Sequence, residues 1–206
     1  MTQFRLQGHK VLAVTVEGET FRAVTGAMVA YDGTVSFKHA GSGGGEGLRG
    51  AIKRRVTGES LALMECSGHG TVYLAREAAD ITVVPLAGDT LLVESSSVLA
   101  VGPGLRTDVQ FTGLRGAASQ QGLFTTSVTG NGEVAIVSDG PAVVLEVSPQ
   151  YPLVVDPDAY VASLGRMTQS FVTDISWRNV VGEGSGEAFS LRFDGTGIVY
   201  IQPAER

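Results

Sequence analysis

A single cysteine, Cys66, is all the chain offers for sulfur chemistry, so no internal disulfide can form and nothing marks a secreted, stapled fold. Charge is scarce too: 17% of the residues are Asp, Glu, Lys or Arg, below the usual share of about a quarter. Aromatic residues make up 7% and the net charge is −6. That leaves few platforms for stacking bases and an overall repulsion of a phosphate backbone, which argues against a nucleic-acid partner. No apolar run approaches the roughly 20 residues of a membrane-spanning helix, so no transmembrane segment is expected. The first twelve residues lack the basic start, apolar core and small-residue cleavage site of a signal peptide, and the expected location is the cytoplasm. The three histidines, His9, His39 and His69, stand alone in the sequence. Without a ligand pair at metal spacing, no metal and no cofactor is expected.

Glycine is what the chain has in excess, with 28 in 206 residues. Many glycines and few charges suit short strands and tight turns, and the apolar content excludes disorder. A chain this long buries about 70% of its unfolded surface without staples, enough for one sizeable core.

The chain repeats itself. Segments 61–74, 123–136 and 188–201 each read strand, Gly-x-Gly, strand, with glycines at 68 and 70, 130 and 132, and 195 and 197. Two residues before the first glycine stand Cys66, Val128 and Phe193; four after it stand Val72, Val134 and Val199, then Leu74, Ile136 and Ile201. Period-two alternation puts these on one strand face, and glycine tolerates the positive φ of a tight hairpin, so three hairpins with one buried face each are expected. A second landmark, Val29-Ala30, Leu99-Ala100 and Val161-Ala162, also occurs three times. Further strands are expected over 11–16, 81–86, 90–94, 142–147 and 153–155. The economical arrangement is an all-β fold of three antiparallel pseudo-repeats around an approximate threefold axis. In it, unit 1–59 is completed by 187–206, and units 60–121 and 122–186 follow. The C-terminal hairpin should pair near Phe4–Val16 and close the ring, removing exposed edges. One short helix is expected over Leu48–Val56, whose Leu48, Ile52 and Val56 form one apolar stripe.

Gly26–Val35, the glycine-rich Gly41–Gly47, Leu48–Arg55, Gly58–Leu61 and Gly68–Ala75 follow in a fixed order, with landmarks at Leu91–Ala100 and Tyr151–Ala162. In this order the chain resembles the altered-inheritance-of-mitochondria family, widespread in bacteria. The resemblance implies a fold similar to that of the trp RNA-binding attenuation protein, a relative of the double-stranded β-helix, with β-units about a pseudo-threefold axis. It implies no reaction. Mitochondrial members of the family are linked to inner-membrane organisation.

The search for chemistry yields no catalytic residues. Cys66 takes the inward place of Val128 and Phe193, which makes it a small core residue rather than a nucleophile. His69 has Asn131 and Thr196 as its equivalents and reads as a turn residue. Ser95-Ser96-Ser97 matches Thr25-Gly26-Ala27 and Asp156-Pro157-Asp158, again turns. Gly41–Gly47 lacks the closing lysine and hydroxyl of a phosphate loop, and Glu46 would repel an anion. One feature survives as a candidate anion- or partner-binding site: Arg49, Lys53, Arg54 and Arg55, a local charge of +4 on a chain of −6. On a short helix these could grip anionic lipid, nucleic acid or an acidic protein, or form a solvated face. The leading expectation is a non-catalytic binding or scaffold module with a protein or anionic-membrane partner, homo-oligomerisation being open. The alternative is a ligand-binding or enzymatic barrel whose site is assembled from distant strands. RNA binding, by fold analogy alone, comes third.

Overall fold

The structure, a computed structural model, describes residues 2–39, 61–112, 123–173 and 189–203. The expected helix Leu48–Val56 and the glycine-rich 41–47 lie outside the described residues. Among the described residues twelve strands form one antiparallel sheet. They are β1 (Gln3–Gln7), β2 (Val11–Val24), β3 (Met28–His39), β4 (Leu63–Leu74), β5 (Asp80–Glu94), β6 (Val98–Val101), β7 (Arg106–Thr112), β8 (Leu123–Ser138), β9 (Val143–Val147), β10 (Leu153–Val155), β11 (Tyr160–Thr173) and β12 (Phe189–Ile201). The order across the sheet is β10-β12-β11-β5-β8-β6-β2-β4-β3, with β1 on β2, β7 on β8 and β9 on β12.

The Gly-x-Gly segments are not hairpin turns, contrary to the expectation from sequence. Each lies inside one long strand, β4, β8 or β12. The glycines are there because a neighbouring backbone occupies the space of a side chain. A Cβ on Gly68 or Gly70 would lie 2.1 Å from the Thr34 carbonyl oxygen or 2.0 Å from that of Asp32. On Gly195 and Gly197 it would lie 2.3 and 2.4 Å from the carbonyl oxygens of Arg166 and Leu164. The contact is looser in the middle copy, where Gly130 and Gly132 face the Gly104 and Pro103 carbonyl oxygens at 2.9 and 3.1 Å. There Pro103, which has no N–H to give a ladder, falls in the gap between β6 and β7. Strand β3 bends at the same level. An extended strand would hold residues six apart about 20 Å from each other, yet the rings of Tyr31 and Phe37 meet at 5.2 Å. Gly33, opposite Gly70 with φ +79°, lies between them.

What repeats is pairing register. Val16, Leu86 and Val147 stand opposite Gly70, Gly132 and Gly197; Phe21, Leu91 and Leu153 stand opposite Cys66, Val128 and Phe193. Between those pairs comes an irregularity, built around Gly18 in β2 and Gly88 in β5 and widened in the third copy to the 148–152 turn. On the other flank, Ala30, Ala100 and Ala162 stand opposite Tyr73, Ala135 and Tyr200, each just after a one-residue bulge at Val29, Leu99 or Val161. The frames therefore run 11–74, 80–138 and 143–201, not 1–59 with 187–206, 60–121 and 122–186. Strand β12 pairs with β9, β10 and β11 of its own frame rather than with Phe4–Val16, where β1 pairs with β2 and β2 pairs with β4. The first frame has its own Gly-x-Gly strand, β4, so the C-terminal strand is not surplus.

Eight of the nine inward positions expected from alternation are buried, Cys66, Val128, Phe193, Val72, Val134, Val199, Leu74 and Ile136 having at most 1% exposure, while Ile201 is partly buried. They divide among three clusters. The first takes Leu99 and Ala100 from the second frame, and the second takes Val161 and Ala162 from the third.

The backbone contact at Gly70 makes a clear prediction. Gly70→Ala should lower stability by on the order of 3 kcal/mol, because two backbones must separate. Gly26→Ala, where a Cβ meets nothing within 4 Å and only the φ of +88° is unfavourable, should cost about 1 kcal/mol. Denaturant melts of the two variants check this; equal losses would remove the close approach as the reason for the glycine.

Candidate functional site

Buried polar groups bond neighbouring side chains or backbone, several of them in turns. Ser95 to Ser97 form a single 3-10 turn, in which Ser95 Oγ meets Thr126 Oγ1 at 2.8 Å and Ser96 and Ser97 donate to Glu94. Asp156 Oδ1 accepts the Asp158 N–H at 3.0 Å, and the Gln202 amide donates to the Asp158 carbonyl at 2.9 Å. The two carboxylates thus belong to a turn that docks the C-terminal segment. Tyr160 donates to the Leu92 carbonyl at 3.0 Å, contacts Ser163 Oγ and stacks on Phe193 at 5.6 Å; burial raises its pKa despite the Ser163 contact.

Cys66 is fully buried between Phe21 and Phe37 on the flanking strands. Burial pushes its thiol up to about 12, so it stays protonated and unreactive at neutral pH. His69 is exposed within β4, between Glu17 and Thr34, and is a strand residue rather than a turn residue. Among the described residues no three His, Cys, Asp or Glu side chains converge. An open cleft of about 310 Å³ lies beside the β4–β5 connection, lined by Arg76, Glu77, Ser96 and Asp139, among others. The Arg76 guanidinium there is already engaged by the Ser96 carbonyl. Arg49, Lys53, Arg54 and Arg55 lie outside the described residues.

The surface feature that needs an explanation is apolar. At one end of the sheet, β3 exposes Met28, Val29 and Tyr31; at the other, Val143, Val144, Tyr151 and Val154 are exposed. The same places elsewhere in the chain are closed: Val29 is 58% exposed, whereas its register equivalents Leu99 and Val161 are at 0%. Junctions between frames do the closing. Ala23 and Arg22 of β2 pair with Ala100 and Val101 of β6, and Leu91 to Val93 of β5 pair with Leu164 to Ala162 of β11. The half-buried Arg22 guanidinium adds bonds to Thr107 Oγ1 at 2.9 Å and the Leu105 carbonyl at 2.7 Å. Among the described residues β3 and β10 are the two ends of the sheet order, each paired on one side.

The family model described as Mitochondrial biogenesis AIM24 matches residues 4–204. The chain belongs to the AIM24 family. A solved protein of Streptococcus pyogenes, SPYM3_0169, is similar in structure, with a TM-score of 0.75, 18% identity and coverage of 100% of this chain and 94% of that one. At that identity the likeness establishes the shared fold alone. No curated protein matches the chain. As an AIM24-family protein it carries no described helix long and apolar enough to cross a membrane.

Sequence reading found the three Val/Leu-Ala landmarks but not that the first of them is bare. The signal was present in Met28, Val29, Ala30 and Tyr31, four uncharged residues at a place whose copies are interior. Alternation alone does not say which copy lacks a neighbour.

Cys66→Val should leave the unfolding free energy within about 1 kcal/mol of wild type, since Val128 already fills the equivalent place. In the folded protein Cys66 should resist an aromatic disulfide reagent and react only on unfolding. Rapid labelling of the native chain would mean the thiol is accessible.

Proposed function

We propose that this AIM24-family chain is a non-catalytic binding or scaffold module, working through the ends of its sheet and its basic run. The observation that carries the reading is the exposure of Met28, Val29 and Tyr31 at positions whose equivalents are interior. Contiguous apolar surface of this kind marks association sites, because leaving it in water forfeits about 25 cal/mol for every Å² that a partner could cover. Arg49, Lys53, Arg54 and Arg55, with no acidic residue from Gly47 to Gly58, supply the second element, a cationic segment suited to anionic lipid or an acidic protein.

Flotation with anionic and neutral vesicles tests the cationic segment. Recovery with anionic vesicles should fall as salt rises, the screening length shrinking from about 10 Å at 0.1 M to about 3 Å at 1 M. The triple variant Lys53→Gln, Arg54→Gln, Arg55→Gln should drop to the neutral-vesicle level, with stability changed by less than about 0.5 kcal/mol. Equal recovery of wild type and triple variant at low salt would return these residues to a solvated face.

A further inference from the structure

The two bare ends of the sheet are the two halves of one junction. In each internal junction a short stretch of one frame, Arg22-Ala23 or Leu91–Val93, pairs with the landmark strand of the next, at Ala100-Val101 or Ala162–Leu164. The register is the same in both: Ala23 faces Ala100, and Val93 faces Ala162. In the third frame the equivalent of Ala23 and Val93 is Val155 in β10, and the equivalent of Ala100 and Ala162 in the first frame is Ala30 in β3. Neither has its counterpart among the described residues.

The core shows the same gap. The first cluster receives Leu99 and the second receives Val161, each from the following frame. The third cluster, built from Val147, Val155, Tyr160, Leu191, Phe193 and Val199, receives no such residue. Its missing plug is Val29, which stands 58% exposed on β3, at the other end of the strand order. Residues 28–31 include neither charge nor proline, the usual guards of an edge strand, and residues 153–155 include no charge. Pro152 and Pro157 bound β10 instead. They limit it to the short ladder that the internal junctions also use.

We propose that a second copy of this chain covers each end, β3 of one molecule pairing antiparallel with β10 of the next so that Ala30 faces Val155 and Tyr31 faces Val154. The interface continues the junctions already present between frames, with Val29 of one copy seated in the third core cluster of its neighbour. Because the two surfaces differ, the contact is heterologous, and successive copies form a closed ring or an open filament. The proposal rests on the binding-module reading and gives it a partner.

Cysteine cross-linking reads the register directly. Tyr31 and Val154 are both about half exposed, at 50% and 45%. Facing positions in neighbouring strands are close enough for a disulfide. Under mild oxidation the double variant Tyr31→Cys, Val154→Cys should give a ladder of covalent oligomers on a non-reducing gel. Equimolar Tyr31→Cys and Val154→Cys single variants should give a dimer and nothing larger, and neither alone should cross-link. Light scattering on wild type should report an oligomer that Val29→Lys converts to a monomer that still unfolds cooperatively. An intramolecular bond in the double variant, self-linking of a single variant, or a monomeric wild type would overturn the proposal. Salt-sensitive vesicle binding by a monomeric wild type would overturn it while leaving the binding-module reading in place.

Discussion

Backbone meets backbone at the centre of each frame, and the rest of the architecture follows from that contact. Carbonyl oxygens of β3 and β11 sit 2.0–2.4 Å from where the side chains of Gly68, Gly70, Gly195 and Gly197 would begin. Strands can bend and cross this closely only where no Cβ stands between them. The bend at Gly33 and Gly70 folds β3 back far enough to bring Tyr31 against Phe37. The first part of β3, residues 28–31, stays paired with β4 on one side and is unpaired on the other among the described residues. Where the contact relaxes, at Pro103, the strand breaks into β6 and β7 instead.

A frame built this way has a donor end and an acceptor end. Its landmark strand projects a Val or Leu followed by Ala, and its first long strand offers a short unpaired stretch beside an apolar cluster. Two such matings occur inside the chain and account for how three frames share one sheet. The cost of the design is that a linear series always leaves one of each end over. Apolar edges left in water are a hazard that proteins normally blunt with charge, proline or a cover. On the β3 side this chain has none of the first two at residues 28–31.

Much of this was legible in the residues. The period-two pattern around Cys66, Val128 and Phe193 located the core face, and strands 11–16, 81–86, 90–94, 142–147 and 153–155 all lie in or beside observed strands. The Val29, Leu99 and Val161 landmarks turned out to be bulges at one register position. Two readings failed for a shared reason. Glycine in a strand pattern signals either a turn or a close approach, and both fit Gly-x-Gly between apolar runs. Choosing the turn made three hairpins, left a hairpin surplus at the C-terminus and invited a ring closed onto Phe4–Val16. Resolving it needed the partner strand, because the clash lies with Asp32 and Thr34, more than thirty residues away in sequence. The basic residues Arg49, Lys53, Arg54 and Arg55 remain a reading from charge and spacing.

Strands β3 and β10 are each paired on one side among the described residues, and their open sides match in register as the internal junctions do. Amide hydrogen exchange at residues 28–31, followed as protein concentration rises, tests this match most directly. The account predicts fast exchange of the outward amides in dilute solution, when their equivalents at 98–101 and 160–163 are protected. That exchange should slow as copies associate. Strong protection of 28–31 that matches 98–101 at every concentration would show that the chain closes on itself, and would contradict the account.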